Sequence, residues 1–432
     1  MNEICACGKI HKTSVKRLVS ESGAIQKIPE CVKELGGSRP FILADANTFG
    51  AAGKAIEQIL TAHGMKPDIF VFSGSTIEPD EASVGAAVMH YRDTCDTVIG
   101  VGSGVIHDIG KIVSKTAHKP YIVAATAPSM DGYASATSSM AMDGLKISLP
   151  SRCPDVIIGD TDILQEAPMR MLQAGLGDML AKYISICEWR IAHLLVGEYY
   201  CEHVADLVRK ALQKCVQNAE GLLKREPKAV QAVFDGLVMG GMAMEYAGVS
   251  RPASGVEHYL SHVWDMRGLA FGTKTTLHGL QCAVGTLAAA RVYEQLKGIV
   301  PNREKALAYV QGFCVEDWNK QLSAFIGRGA DAMIALEQKE QKYNAEKHKA
   351  RLCRIIENWD EILKIVCEEV PPAAEIERIL DSIGAPKTCA EIGIDPCILP
   401  MTFAASKDIR DKYVLSRLCW DLGILDEIQL DA

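Results

Sequence analysis

Thr97-Val98-Ile99-Gly100-Val101-Gly102-Ser103-Gly104-Val105-Ile106-His107-Asp108 is the stretch that decides the fold. Its first five residues form an apolar run of strand length, and Ile109 to Thr116 continue with helical spacing. Glycines at such a strand-to-helix turn let backbone amides approach a pyrophosphate, and the helix amino terminus adds partial positive charge. Gly102, Gly104, Val105, Ile106, His107 and Asp108 are therefore candidates for holding a dinucleotide. Many α/β turns carry two glycines without doing so, and this one follows the third predicted strand rather than the first. Working outward, Phe41 to Ala44, Ile69 to Phe72, Tyr121 to Ala125 and Val156 to Gly159 are further strand-like runs, separated by helix-like stretches at Gly50 to His63 and Glu81 to Arg92. That alternation predicts a parallel sheet covered on both faces, an α/β dinucleotide-binding domain over residues 1–161.

From about Asp162 the strand-like runs stop. Met179 to Glu198, Ala205 to Lys224 and Glu304 to Phe325 have helical spacing, which predicts an all-α domain over residues 162–432. Mixed Glu and Lys between Leu336 and Arg354 predict a solvated helix face. With 432 residues the chain is long enough for two or three domains, and 48% hydrophobic with 23% charged residues is a globular composition. No apolar run is long enough for an integral membrane segment, and Met1 to Lys12 lack a secretory pattern, so a cytoplasmic protein is expected. The balance of 46 basic against 54 acidic residues, net −8, disfavours a nucleic-acid partner. Fifteen cysteines scattered through such a chain suggest reduced thiols. Cys5, Cys7 and His11 cluster, but a fourth metal ligand is missing, and an amino-terminal tail is the expected meaning.

Three further features carry chemistry. Asp45 follows the first predicted strand, where a carboxylate either accepts from an adenosine ribose or caps a helix turn. Thr126-Ala127-Pro128-Ser129-Met130-Asp131-Gly132-Tyr133-Ala134-Ser135 follows the strand Tyr121 to Ala125, placing hydroxyls and a carboxylate beyond the same sheet edge as the glycine turn. Asp178 opens a long apolar stretch, and His258, His262 and His278 fall within 21 positions. A carboxylate with imidazoles suits Zn, Ni or Fe, and three ligands with an open position describe a catalytic ion. The alternative is a helix cap with surface or core histidines. His258 and His262 lie one turn apart as in a metalloprotease pair, but Tyr259-Leu260-Ser261 lacks that motif's glutamate.

In order and spacing these pieces resemble the glycerol-1-phosphate dehydrogenases, bacterial branch, within the superfamily of iron-type alcohol dehydrogenases and dehydroquinate synthases. The resemblance runs from about Phe41 to the carboxyl terminus. Its most specific part is Thr126 to Ser135, with Ile409-Arg410-Asp411-Lys412-Tyr413 as a second match. It implies a dehydroquinate synthase-like fold and metal-dependent, NAD(P)H-dependent reduction of dihydroxyacetone phosphate to sn-glycerol 1-phosphate, reversibly; Asp45, by repelling a 2′-phosphate, would make NAD(H) preferred, with NADP(H) as alternative. It further implies that Gly104 to Asp108 cradle the pyrophosphate, that Thr126, Ser129 and Ser135 contact the nucleotide, and that Asp131 meets the substrate. Asp178, His258 and His278 would bind the metal, which acts on the substrate carbonyl; His262 would face the substrate, and either it or metal-linked water would relay the proton. Lys182, Arg251 and Lys274 are candidates for the substrate phosphate. The protein would be a homodimer or larger, working on a small phosphate ester. His107 departs from the family pattern, which usually has another residue there and a denser glycine run. Glycerol dehydrogenase or another polyol or alcohol dehydrogenase, a dehydroquinate-synthase-like lyase, and an inactive nucleotide- and metal-binding sensor are the alternatives.

Overall fold

The computed structural model describes residues 4–74, 77–143 and 145–430; Met1 to Glu3, part of the amino-terminal reading above, lie outside them. It divides into two compact units, residues 1–179 with 206–249 and residues 180–205 with 250–432.

Unit 1 is built on a six-stranded sheet. Its strands are β1 (Arg17–Glu21), β2 (Pro40–Asp45), β3 (Asp68–Phe72), β4 (Thr97–Gly102), β5 (Tyr121–Ala125) and β8 (Val156–Asp160), in the order β1-β8-β5-β4-β2-β3. Every pairing is parallel. The central strands β4, β5 and β8 are buried at every position, which explains why they read as continuous apolar runs in sequence. The chain leaves β2 for β3 on one side and returns for β4 on the other. The winding therefore reverses between β2 and β4, and their carboxyl ends flank the place where open parallel sheets take ligands.

All five strand-like runs are strands. The edge strand β1 was not expected: of its sequence Arg-Leu-Val-Ser-Glu only Val19 is buried, so it has no apolar run to display. An antiparallel hairpin, β6 (Thr137–Met142) with β7 (Leu145–Pro150), was also unexpected, its Ser and Lys positions diluting the pattern. Residues 162–179 and 206–249, expected in the helical domain, belong to unit 1, because the long helix Pro227–Ala247 packs on the turn Asp131–Ala134 and on β1.

Unit 2 is helical. Its central pair is Val256–Phe271 against His278–Leu296. They meet closely at Gly285, where a Cβ would lie 2.9 Å from the Glu257 carbonyl oxygen. The expected helix Glu304 to Phe325 is two, Arg303–Gln311 and Val315–Ile326, interrupted at Gly312. Among the described residues no helix is long and apolar enough to cross a membrane.

Candidate functional site

The residues singled out in sequence occur in both units, and each group is described within its own. In unit 1 the glycine turn joins β4 to the helix Gly104–Ala117, whose N-cap Ser103 makes no side-chain cap. The first-turn amides of Gly104, Val105 and Ile106 thus face outward without intrahelical acceptors. His107 is different. Its N–H is spent on the Ser103 carbonyl at 3.1 Å, and its fully buried ring bonds the Gly102 carbonyl at 2.9 Å and the Tyr121 hydroxyl at 3.0 Å. Burial, helped by the Lys111 charge, pushes its pKa down to about 3, so the ring is neutral at working pH. Gly100 and Gly110 make room for the Tyr121 hydroxyl, 2.2 and 2.4 Å from where their Cβ atoms would be. The departure from the family pattern at His107 is thus absorbed by the core beneath the turn.

The Thr126–Ser135 loop is tied to this turn. Thr126 N–H donates to the Gly102 carbonyl at 2.9 Å, and the Ser103 and Ser129 hydroxyls are 2.5 Å apart. Lys111, which sequence reading missed, is buried beneath the loop and donates to the carbonyls of Gly132 (2.5 Å) and Thr137 (3.1 Å) and to the Ser135 hydroxyl (3.1 Å). Burial holds its pKa below the usual lysine range, against the opposing pull of Asp108. Asp131 and Asp178, 47 positions apart, are brought together: the Asp131 amide donates to Asp178 Oδ2 at 2.8 Å, and both side chains are buried. Two helix glycines back the loop. A Cβ on Gly175 would sit 1.9 Å from the Pro128 oxygen, and one on Gly241 would sit 2.7 Å from the Asp131 oxygen. Asp45 forms a capping box, Oδ1 accepting from Asn47 N–H (2.8 Å) and Thr48 N–H (2.9 Å). The capping role is therefore present, on the strand flanking the switch point.

In unit 2 His258, Ser261 and His262 share one face of the helix Val256–Phe271, while His278, Gln281 and Cys282 come from the helix His278–Leu296. The rings of His258 and His278 are 5.0 Å apart, and that of His262 stacks on His278 at 6.0 Å. His258 Nδ1 meets Glu257 Oε1 at 2.8 Å, and His278 Nδ1 meets the Ser261 hydroxyl at 2.9 Å, itself bound to Gln281 Oε1 at 2.6 Å. Holding Nδ1 in this way leaves Nε2 of each ring as the ligand atom, the arrangement that orients metal-binding histidines. The donor set fits a divalent ion. Cys282, 3.5 Å from His278 Nε2, joins the two histidines with ligand atoms within 4.8 Å of one another. Burial would raise its thiol, but the two imidazoles outweigh this and hold it below the usual range. The His278-x-x-x-Cys282 spacing was its only signal in sequence.

The three cationic candidates have unequal surroundings. Lys274 is exposed, whereas buried Lys182 donates to the Ala253 carbonyl at 3.1 Å. Arg251, 2% exposed, forms a two-point pair with Glu198, yet its Nη1 has no hydrogen-bond partner among the described residues. Lys412, from the second matching stretch, donates to the Ser254 carbonyl at 2.8 Å. Its pKa is pushed down to about 7 by burial, then by Arg251 and Arg410. Cations and carboxylates are therefore interleaved beside the start of the histidine helix, where Glu188 Oε2 accepts from Val256 N–H at 3.0 Å.

A parallel-sheet dinucleotide fold with a separate helical unit bearing oriented imidazoles describes a metal-dependent dehydrogenase class. Residues 19–168 match the family described as "Iron-containing alcohol dehydrogenase". The chain belongs to the glycerol-1-phosphate dehydrogenase family within that class: it is 31% identical over 286 residues to "Glycerol-1-phosphate dehydrogenase [NAD(P)+]" of Geobacillus thermodenitrificans, covering 66% of this chain and 71% of that one. The same-named protein of Thermococcus sibiricus is 34% identical (67% and 83% covered), and that of Halalkalibacterium halodurans 28% (95% and 94%). Among solved structures, the glycerol dehydrogenase of Schizosaccharomyces pombe is similar with a TM-score of 0.62 at 18% identity (96% and 90% covered). A maleylacetate reductase of Rhizobium gives 0.61 at 17% (97% of each). At such identities these two bear on the fold alone.

Proposed function

We propose that the chain reduces dihydroxyacetone phosphate to sn-glycerol 1-phosphate, reversibly, using NAD(P)H and one divalent ion held by Asp178, His258 and His278. The observation that carries this is the pair of imidazoles whose Nδ1 atoms are fixed by Glu257 and Ser261, in a chain whose relatives bear that name. When bound, the ion polarises the substrate carbonyl and the nicotinamide supplies the reducing equivalent. The chain's own groups do the rest. Amides of Gly104, Val105 and Ile106 hold the pyrophosphate, with Thr126, Ser129 and Ser135 along the nucleotide and His107 supporting the turn from below. Asp131 orients the substrate, and His262 delivers a proton to the product oxygen. Asp45 favours NADH by repelling a 2′-phosphate. Arg251 is better placed for the substrate phosphate than Lys274, because a buried cation whose Nη1 has no partner among the described residues gains most from a dianion.

The test compares His258→Ala with His262→Ala, purified identically, by elemental analysis and kcat. Loss of a ligand removes most of the metal, whereas loss of a proton relay keeps it and slows turnover about 10²–10⁴-fold. Metal and full activity retained in both variants would refute the assignment.

A further inference from the structure

Cys5, Cys7 and His11 play no part in the reaction above, and their sequence spacing alone argued against a metal. The fold changes that reading. Gly8 N–H donates to the Cys5 carbonyl at 2.8 Å and Cys5 N–H to the Lys9 carbonyl at 2.9 Å, closing a tight turn. Gly8 has φ 82°, a left-handed conformation that favours glycine. The turn brings Sγ of Cys5, Sγ of Cys7 and a ring nitrogen of His11 within 4.8 Å of one another. Cys7 Sγ and His11 Nε2 are 3.4 Å apart. Two ligands of one tetrahedral zinc, sulfur at about 2.3 Å and nitrogen at about 2.0 Å, lie about 3.5 Å from each other.

His11 is prepared for such a role. It is 2% exposed, and its Nδ1–H donates to the Tyr246 carbonyl at 3.0 Å, which fixes the tautomer and points Nε2 at the thiols. The segment around it is anchored to the end of the helix Pro227–Ala247. Lys9 Nζ donates to the Ala247 carbonyl at 3.0 Å, and Thr13 and Ser14 donate to the Glu245 carboxylate, Thr13 Oγ1 at 2.7 Å and Ser14 N–H at 2.9 Å.

We infer that Cys5, Cys7 and His11 hold a second, structural divalent ion, separate from the one proposed at Asp178, His258 and His278. Two thiolates with one imidazole select zinc, and a fourth donor completes the tetrahedron. Binding releases the two thiol protons and fastens the amino-terminal segment to the end of that helix.

The test uses the full chain, loaded with zinc and counted by elemental analysis. Two equivalents are expected for wild type, one for the Cys5→Ser/Cys7→Ser double variant and one for His258→Ala. After cobalt exchange, the His258→Ala/Cys282→Ser chain, which has lost the thiol of the other site, should keep a thiolate-to-metal charge-transfer band, which also serves if the double variant fails to fold. Equal metal in wild type and the double variant, or no such band in His258→Ala/Cys282→Ser, would overturn the inference in favour of a plain S–H···N hydrogen bond. Two equivalents remaining in His258→Ala would instead count against the catalytic ligand set and leave this site standing.

Discussion

Gly175→Ala probes whether the helix behind the Thr126–Ser135 loop sets the loop's position. The new Cβ would fall 1.9 Å from the Pro128 carbonyl oxygen and 2.9 Å from a Val233 methyl, where ordinary contact begins near 3.4 Å. The oxygen belongs to backbone, so the loop must retreat by about 1.5 Å, and overpacking of this kind costs about 1–3 kcal/mol. Ser129 and Asp131 follow the displaced carbonyl within three residues, and a misplacement of about 1 Å near reacting groups lowers rates about 10²-fold. The assay is kcat/KM for NADH with dihydroxyacetone phosphate at saturation, beside thermal unfolding. Gly85→Ala is the control: its Cβ would meet only Met89 Cε at 4.0 Å, and wild-type behaviour is expected. Gly175→Ala with unaltered stability and kcat/KM would refute the reasoning that this contact positions the loop.

Two further outcomes are expected. His107, with a folded pKa of about 3 against about 6.5 unfolded, contributes stability that is present above pH 6.5 and lost as pH falls toward 3. Between pH 6.5 and 5 wild type should lose about 2 kcal/mol more than His107→Gln in urea unfolding, and parallel pH profiles would contradict the burial argument. Asp45→Ala should narrow the NADH over NADPH preference, since the side chain ends β2 at the switch point; an unchanged ratio would leave Asp45 as the helix cap alone.

The sheet was legible where strands are buried on both faces, because runs such as Tyr121 to Ala125 admit little but apolar residues. It was illegible at β1, where the edge position lets Arg17 and Glu21 stand in a strand. The expected domain limit after residue 161 followed the last apolar strand run, and no local pattern marks Pro227–Ala247 as a cover for the sheet unit. Of the site, the histidines and the loop could be found by spacing and resemblance. Lys111, Glu257 and Ser261 could not, since their importance lies in partners supplied by the fold. The Cys5–His11 turn is a similar case: its spacing says little, and the hydrogen bond from His11 to Tyr246 spans 235 positions.

Turnover of the purified chain with dihydroxyacetone phosphate and NADH, metal-free and after adding Zn, Ni or Fe singly, with the product's configuration determined enzymatically, decides whether the chain is a metal-dependent reductase of this ester. NADH oxidation that requires the ion and yields the sn-1 ester is the expected result. Strong turnover of unphosphorylated glycerol with NAD+ and none of the phosphate ester would contradict it.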